Sequence, residues 1–582
     1  LRRGWPGVAG ASAAILVFAC ALLSTFHVYL GADLTRSAPI AEPESSERSE
    51  ELALLETDQR FVIWLVARNA WTLLHRPLDL FDAEECFPER DTLALGEPGI
   101  ALGIVGIPAW LATGDPLATY NFAVLALSLI AALAMFWLVR DWTGVPAAGI
   151  AAGILFGFHH VKLWEVVHPY GFDNGWTVLA LLFAVRLWER RRWHDALGLA
   201  SASSLQLAGS FYPTLAAACL GLPMLVWLPL RGGLREQRSL RWPVALAIVA
   251  VTAYLVFAPY LARRAEGVLE PRSFQAFLAW RSLLPSGRNF PGFVLLAFAA
   301  FGVCFGRSRF RDGLARDVRW PLLAGALFAL VLATGGSRPD AALRDHPLPP
   351  LFPNPYTWLA QVVPGLDLIR CPWALYSATQ LALCVLAGLG CARIVRAAPR
   401  GVGAAAASAA VVLAAYLDTL RPASLGFEPW LRYRMVELAP PRESIDFFRA
   451  LEALGDRGPV AEAPFGKPGL RQRSLGVLLS AYHHRRTWAC LPSFRPPSTH
   501  RVVDLLLAVP HPGAVEELAE LGFATLVVYH ERERPLGPSL RRAFESLAKA
   551  PDPPIARLHA TDEISAYSLR RRSAPSAQAE GN

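Results

Sequence analysis

The sequence runs to 582 residues, of which 53% are hydrophobic and only 18% charged. Soluble domains carry charge at about a quarter of their positions, and here the apolar excess is gathered in long runs, which excludes a soluble enzyme, a disordered chain and a fibre. The net charge of +8 is almost all Arg, with Lys only at Lys162, Lys467 and Lys549. Because the Arg lie in short loops between apolar runs rather than on one face of a soluble module, the charge reads as membrane topology and not as a nucleic-acid partner.

Leu1 rather than Met opens the sequence, which points to an alternative start codon or a truncation. Val8 to Leu30 follows Arg2 and Arg3 and is longer than a signal-peptide core, so it is expected to be an uncleaved first span. From Gly31 to Pro98 the chain is polar and acidic, with Glu42, Glu44, Glu47, Glu50, Glu51 and Glu56 ahead of an amphipathic stretch that Asp58 heads, through Trp64 and Trp71. This reads as a long first outer loop, 31–116, carrying interfacial helices.

Further apolar runs lie near 117–139, 145–161, 175–188, 196–212, 214–230, 243–262, 291–306, 320–334, 373–392 and 402–420. Gly99 to Thr113 is short for a span and holds Gly103, Gly106 and Pro108, as re-entrant or interfacial segments do. If it does not cross, the loops carrying Arg140, Arg190 to Arg192, Arg231 to Arg241, Arg307 to Arg319 and Arg393 to Arg400 all share the cytoplasm with the N-terminus. If it crosses, they all face outward. The positive-inside rule selects the first arrangement: a multi-pass membrane protein with about 11 spans over residues 1–420 and a tail outside the cytoplasm. One outer loop, near 263–290, disobeys with Arg263, Arg264, Arg272, Arg281 and Arg288. Either longer loops escape the rule, or Arg263 and Arg264 hold a lipid phosphate.

After Leu420 the apolar runs stop. Ser444 to Leu454 and Ala514 to Leu521 read as helices, Pro459 to Phe465 and Phe523 to Tyr529 as strands, giving a small soluble α/β domain over 421–570. Residues 571–582 are rich in Ser, Ala and Arg and are expected to be disordered. The eight Cys lie mostly inside apolar segments with no CxxC pair, so neither a zinc site nor a redox framework is expected.

The topology gathers four polar regions on one membrane face: the first loop with Asp58, the stretch from His159 to Asp173, the basic loop, and Gly335 to Pro372. No P-loop, HExxH, GxSxG elbow or Rossmann fingerprint competes with them. Several pieces carry a resemblance: Thr57-Asp58-Gln59 with Trp64 and Trp71; Cys86-Phe87-Pro88 followed by Thr92 to Leu95; Thr119-Tyr120-Asn121; Gly153 to Phe158; His168 with Trp176; and Ile369-Arg370-Cys371-Pro372. In order and spacing the chain resembles the GT-C superfamily of polytopic membrane glycosyltransferases. It is similar above all to a poorly characterised bacterial branch related to the protein O-mannosyltransferases and lipid A aminoarabinose transferases.

The resemblance implies a GT-C-like helical membrane domain, a polyprenyl-phosphate sugar donor, and an acidic residue of the first outer loop that deprotonates the acceptor. Asp58 is the residue it implies; a helix N-cap is the other role open to that Asp. Better-known members place the acidic group sooner after the first span, where this chain has Asp33 standing alone. Arg370 suits the donor phosphate or simple snorkelling at a membrane boundary. His168 suits a substrate hydrogen bond. Together with His159, His160, Glu165 and Asp173 it could instead serve a divalent metal, although the spacing matches no recognised zinc pattern. Asp82, Glu84 and Glu85 form a second acidic cluster, either a solvated face or a metal and acceptor site in which Asp82 and Glu85 bind substrate. Ser203, Ser204, Gln206, Ser210 and Tyr212 pack between spans or line a headgroup cleft. His483 and His484 are expected at the surface or on the acceptor side.

The expected partners are the lipid-linked donor, membrane lipids and an envelope lipid, glycan or protein acceptor. A transporter or flippase of lipid-linked glycans is the first rival, weakened because its ionisable groups belong near the midplane. A non-catalytic envelope-assembly protein is the second.

Overall fold

A computed structural model describes the chain apart from residues 1–4, 42–47, 165–166, 169–170, 172, 233–239, 273–274, 286, 307–317, 336–354, 421–432, 464–469, 531–537, 552 and 571–582. Glu165, the acidic residues Glu42, Glu44 and Glu47, and the terminal 571–582 segment therefore lie outside the described residues.

Helix α1 (Trp5–Thr25) leads through strand β1 (Ser37–Ala41) into α2 (Arg48–His75) and α3 (Ile100–Thr113). Then come α4 (Pro116–Thr143), α5 (Pro146–Gly157), the short α6 (His160–Trp164), α7 (Gly175–Arg190), α8 (Trp193–Gly209), α9 (Phe211–Gly232) and α10 (Arg241–Ala265). The bundle closes with α11 (Phe293–Phe305), α12 (Arg319–Thr334), α13 (Pro355–Val362), α14 (Tyr376–Ala397) and α15 (Val402–Leu420). Among the described residues five helices are long and apolar enough to cross a membrane, within α4, α9, α10, α14 with its lead-in, and α15, and four shorter apolar helices pack with them. This is a helical membrane-spanning bundle.

Its two ends differ. At one end Arg186 and Arg190 converge on Asp141 at 2.9 and 2.8 Å, and Arg396 donates to the Thr143 carbonyl, so the Arg-bearing ends of α7 and α14 meet the end of α4 there. At the other end the first loop, the basic loop and the C-terminal region meet. Both ends of α3 lie at this second end: the Gly99 N–H bonds the Gly209 carbonyl at 2.9 Å, and Trp110 packs its ring 5.8 Å from His484. Helix α3 rests on α2 through Gly103, where a Cβ would fall 2.4 Å from the Asn69 Cβ, too close for any other residue.

The C-terminal region contains β2 (Tyr433–Glu437), α16 (Arg442–Ala453), β3 (Val460–Ala463), α17 (Leu470–His483), α18 (Ser498–Ala508) and α19 (Pro512–Glu520). Strand β4 (Thr525–Tyr529), α20 (Pro538–Ala548), β5 (Ile555–Ala560) and β6 (Ile564–Leu569) complete it. A four-stranded sheet runs β3-β4-β6-β5, with β3 parallel to β4 and the other pairs antiparallel. Both β3 and the central β4 are buried along their whole length, and β4 is an apolar run ended by Tyr529. Strand β1 of the first loop pairs antiparallel with β2, Ser37 opposite Glu437, so loop and tail share a sheet.

Three expectations need correction. Cys86 and Cys490 form a disulfide joining the first loop to the tail, against the reading of no cysteine framework; the pair is separated by 404 residues, so no local spacing announces it. Asp58 does not cap α2, because the helix begins ten positions earlier at Arg48, and the carboxylate sits on a helix flank. His484 is not a surface residue: its ring stacks on Trp71 at 3.9 Å, where burial pushes it down to about 3.

Candidate functional site

A cavity of about 770 Å³ opens where the bundle meets the C-terminal region. One face of α2 forms a wall, with Leu54, Asp58, Phe61 and Val62 recurring at helical spacing. The others come from Lys162, His168 and Asn174, from Arg288 and Asn289, from Arg370 through Gln380, and from Leu491 to Arg495 of the tail. Asp58, His168 and Arg370, named from three distant parts of the sequence, thus line a single cavity. His168 Nε2 stands 3.6 Å from Asp58 Oδ2, and both side chains stay reachable, at 26% and 45% exposure.

Motif residues around the cavity act as clamps. Gln59 Nε2 donates to the Tyr120 hydroxyl at 2.7 Å, tying α2 to α4 beside Asp58. Asn121 Nδ2 donates to the carbonyls of Leu34 and Ser37, both at 2.9 Å, which fixes the first loop over the same helix. These buried bonds hold the backbone from which Asp58 projects.

Two lining residues escaped the sequence reading. Lys162 is buried, lies 3.8 Å over the Phe156 ring, and its Nζ finds no hydrogen-bond partner among the described residues. Burial pushes this ammonium down to about 7. Glu97 accepts the Phe211 N–H at 2.9 Å, and burial pushes its carboxyl up to about 7. With Lys162, Arg288, Arg370 and Arg495 against Asp58 and Glu97, the lining carries an excess of positive charge suited to an anionic group. The rarity of Lys was the available signal for Lys162; nothing in the local pattern marks Glu97.

The remaining candidates lie elsewhere. Asp82 pairs with Arg486 at 3.2 Å. Glu85 is buried and accepts the Leu491 N–H at 3.3 Å, so it supports the cavity wall from behind; burial pushes it up to about 8. Arg263 bonds Glu89 and Glu266, each at 2.7 Å, and Arg264 forks onto Asp367 at 3.0 and 2.8 Å. Their guanidinium groups are committed to carboxylates, and Arg272 stacks on Phe494 at 3.8 Å, so the basic loop is fastened to its neighbours by its own Arg. Gln206 Nε2 reaches Asp173 at 3.4 Å while its carbonyl accepts from Thr177, a contact between helices.

Nor do these residues fit a metal. His159 Nε2 lies 2.8 Å from the Pro291 carbonyl, which requires a proton on that nitrogen, and Nδ1 accepts the Val161 N–H at 3.2 Å. Among the described residues no three His, Cys, Asp or Glu converge as metal ligands.

The sequence matches no family model and no curated protein. Solved structures do match. A cryo-EM structure of the arabinofuranosyltransferase AftD from mycobacteria aligns with 96% of this chain and 40% of its own at 17% identity and a TM-score of 0.52. A mutant of that enzyme aligns with 96% and 42% at 16% identity and a TM-score of 0.54. The chain shares the fold of these arabinofuranosyltransferase structures. The chain spans less than half the length of those arabinofuranosyltransferase structures. An apo crystal structure of ArnT from Cupriavidus metallidurans aligns over 96% of this chain and 98% of its own, at 12% identity and a TM-score of 0.48.

Proposed function

We propose that this chain is a membrane glycosyltransferase that moves a sugar from a polyprenyl-phosphate-linked donor to an envelope acceptor. The observation that carries the reading is the convergence of Asp58, His168 and Arg370 on one cavity at the end of a GT-C-like bundle, with the buried Lys162 beside them. The acceptor hydroxyl oxygen attacks the anomeric carbon while the bond from that carbon to the phosphate oxygen breaks. The bonding pair leaves with the lipid phosphate, and the hydroxyl proton passes to Asp58. His168 steadies the carboxylate, and the cations of Lys162, Arg288 and Arg370 stabilise the charge that grows on the departing phosphate. Asp82 and Glu85, placed in ion pairing and wall support, are assigned to shaping the acceptor side rather than to touching the reacting atoms.

The cavity is proposed to face away from the cytoplasm. Two observations support this orientation: Arg186, Arg190 and Arg396 gather at the opposite end of the bundle, and a disulfide braces the cavity end, as an oxidising compartment permits.

Asp58→Asn tests the chemistry. Mass spectrometry of envelope glycans from cells carrying this variant as their only copy should show transfer reduced about 100- to 10,000-fold, with the protein still inserted and folded. Wild-type levels of modification would remove Asp58 from the role of base. Loss of lipid-linked sugar transport in vesicles, with sugar transfer intact, would replace the enzyme by a flippase.

A further inference from the structure

A second cavity, of about 520 Å³, lies in the C-terminal region outside the site described above. It is set against the carboxyl ends of the two parallel strands: Glu462 and Ala463 close β3, and Tyr529 closes β4. In open α/β sheets this crevice is where ligands are bound. The volume falls within the range of small-molecule sites.

The lining mixes an aromatic surface with donors and acceptors of both kinds. Tyr529 donates to Glu462 Oε1 at 2.6 Å, which orients a carboxylate that is nearly inaccessible. Gly476 leaves room beside it, since a Cβ there would stand 2.8 Å from Glu462 Oε2. Three lining side chains hold a buried polar atom with no hydrogen-bond partner among the described residues: Trp488 Nε1, Arg60 Nη1 and Gln472 Oε1. Trp488 and Arg60 are themselves at least nine-tenths buried. Unpaired buried donors and acceptors are rare because each forfeits its bonds to water, so several around one cavity mark groups that a ligand completes. A carboxylate, an amide, a guanidinium and an indole around an apolar floor are the complement of a polyhydroxylated ring, whose hydroxyls both donate and accept and whose C–H face packs on aromatic carbon.

The two cavities are neighbours. On α2, Asp58 and Phe61 line the first and Arg60 the second; on α17, Leu470 lines the first while Arg471 and Leu475 line the second. We infer that the second cavity is a saccharide subsite that holds the non-reacting sugar rings of a glycan acceptor while its terminal hydroxyl reaches Asp58. This inference rests on the glycosyltransferase reading and narrows its acceptor to a glycan.

The test uses the full chain in nanodiscs. The probe is a size-fractionated pool of fluorescently end-labelled oligosaccharides released by mild acid from the envelope of the native cells. Wild type is expected to retain one fraction, whereas Glu462→Gln and Arg471→Ala weaken that retention by about tenfold or more. Arg471 is exposed at the rim, so its variant keeps the test valid even if Glu462→Gln fails to fold. Retention that survives both substitutions, or no retained fraction in the wild type, would overturn the subsite. Transfer measured in parallel separates the two ideas: full transfer by Asp58→Asn, with retention still dependent on Arg471, defeats the catalytic reading and leaves the subsite standing.

Discussion

The first loop carries two acidic groups that look alike in composition and differ in circumstance. Around Asp58 the charges are under-paired: the carboxylate is 45% exposed, its His168 partner stands at 3.6 Å, and the lining adds the buried Lys162, whose Nζ has no hydrogen-bond partner among the described residues. Around Glu84 and Glu85 the charges are spent. Arg68, 1% exposed, reaches Glu84 at 3.2 Å and the Leu80 carbonyl at 2.5 Å, and next to them Cys86 is bonded to the tail. Charge left accessible and under-paired marks the place where a ligand enters the balance, while charge paired and enclosed marks a brace.

Substitutions that act on one region and not the other will sharpen or break that contrast. The largest effect is expected for Arg68→Met, which leaves Glu84 buried without its main partner; thermal unfolding in nanodiscs should report a loss of about 3–5 kcal/mol. Cys86→Ser should follow, with a loss of about 2–4 kcal/mol and a cavity wall that becomes protease-sensitive near Leu491. Neither variant should alter donor affinity in the fraction that remains folded. Lys162→Met is the opposite case: it removes a buried ammonium that has no hydrogen-bond partner among the described residues, so stability should hold or rise. Transfer should fall about tenfold, through a higher KM for the lipid-linked donor, as one charge-assisted contact is lost. Equal stability losses from Lys162→Met and Arg68→Met would erase the distinction.

The last effect concerns pH. Glu85 is pushed up to about 8 from 4.5 by burial, so the folded protein holds a proton that the unfolded chain releases. Its contribution to stability is complete below about pH 4.5 and declines as pH rises towards 8. Glu85→Gln keeps an oxygen for the Leu491 N–H without the titration. The variant should match wild type at pH 4 and melt at a higher temperature at pH 8; identical curves at both values would place the ionisation elsewhere.

Much of this was legible in the chain. Helical runs announced themselves by length and apolarity, and the tail by the end of those runs; the helix near 442–453 and the strand ending at Tyr529 were marked by their periodicity. Gly103 and Pro108 lie within α3, whose preceding Gly99 bonds Gly209 and whose Trp110 lies beside His484. The resemblance singled out Asp58 and His168, and Arg370 stood out at the entrance to a span. What stayed hidden was pairing across long separations. Nothing beside Arg263 says that Glu89 will meet it, and the loop's excess of Arg left a long-loop exception and a lipid-phosphate site both open until its carboxylate partners came into view. The same applies to Cys86 and Cys490, although they belong to the few cysteines outside the apolar helices.

The strand pairing of Ser37 with Glu437 has a consequence for biogenesis. During synthesis the first loop is delivered early and must wait for some four hundred further residues before its sheet partner exists. Until then the helices can insert, yet the cavity lacks the wall that runs from Leu491 to Arg495. A ribosome that stops after α15 would release a protein with its membrane bundle in place and its site unfinished, so competence arrives only with the last quarter of the chain.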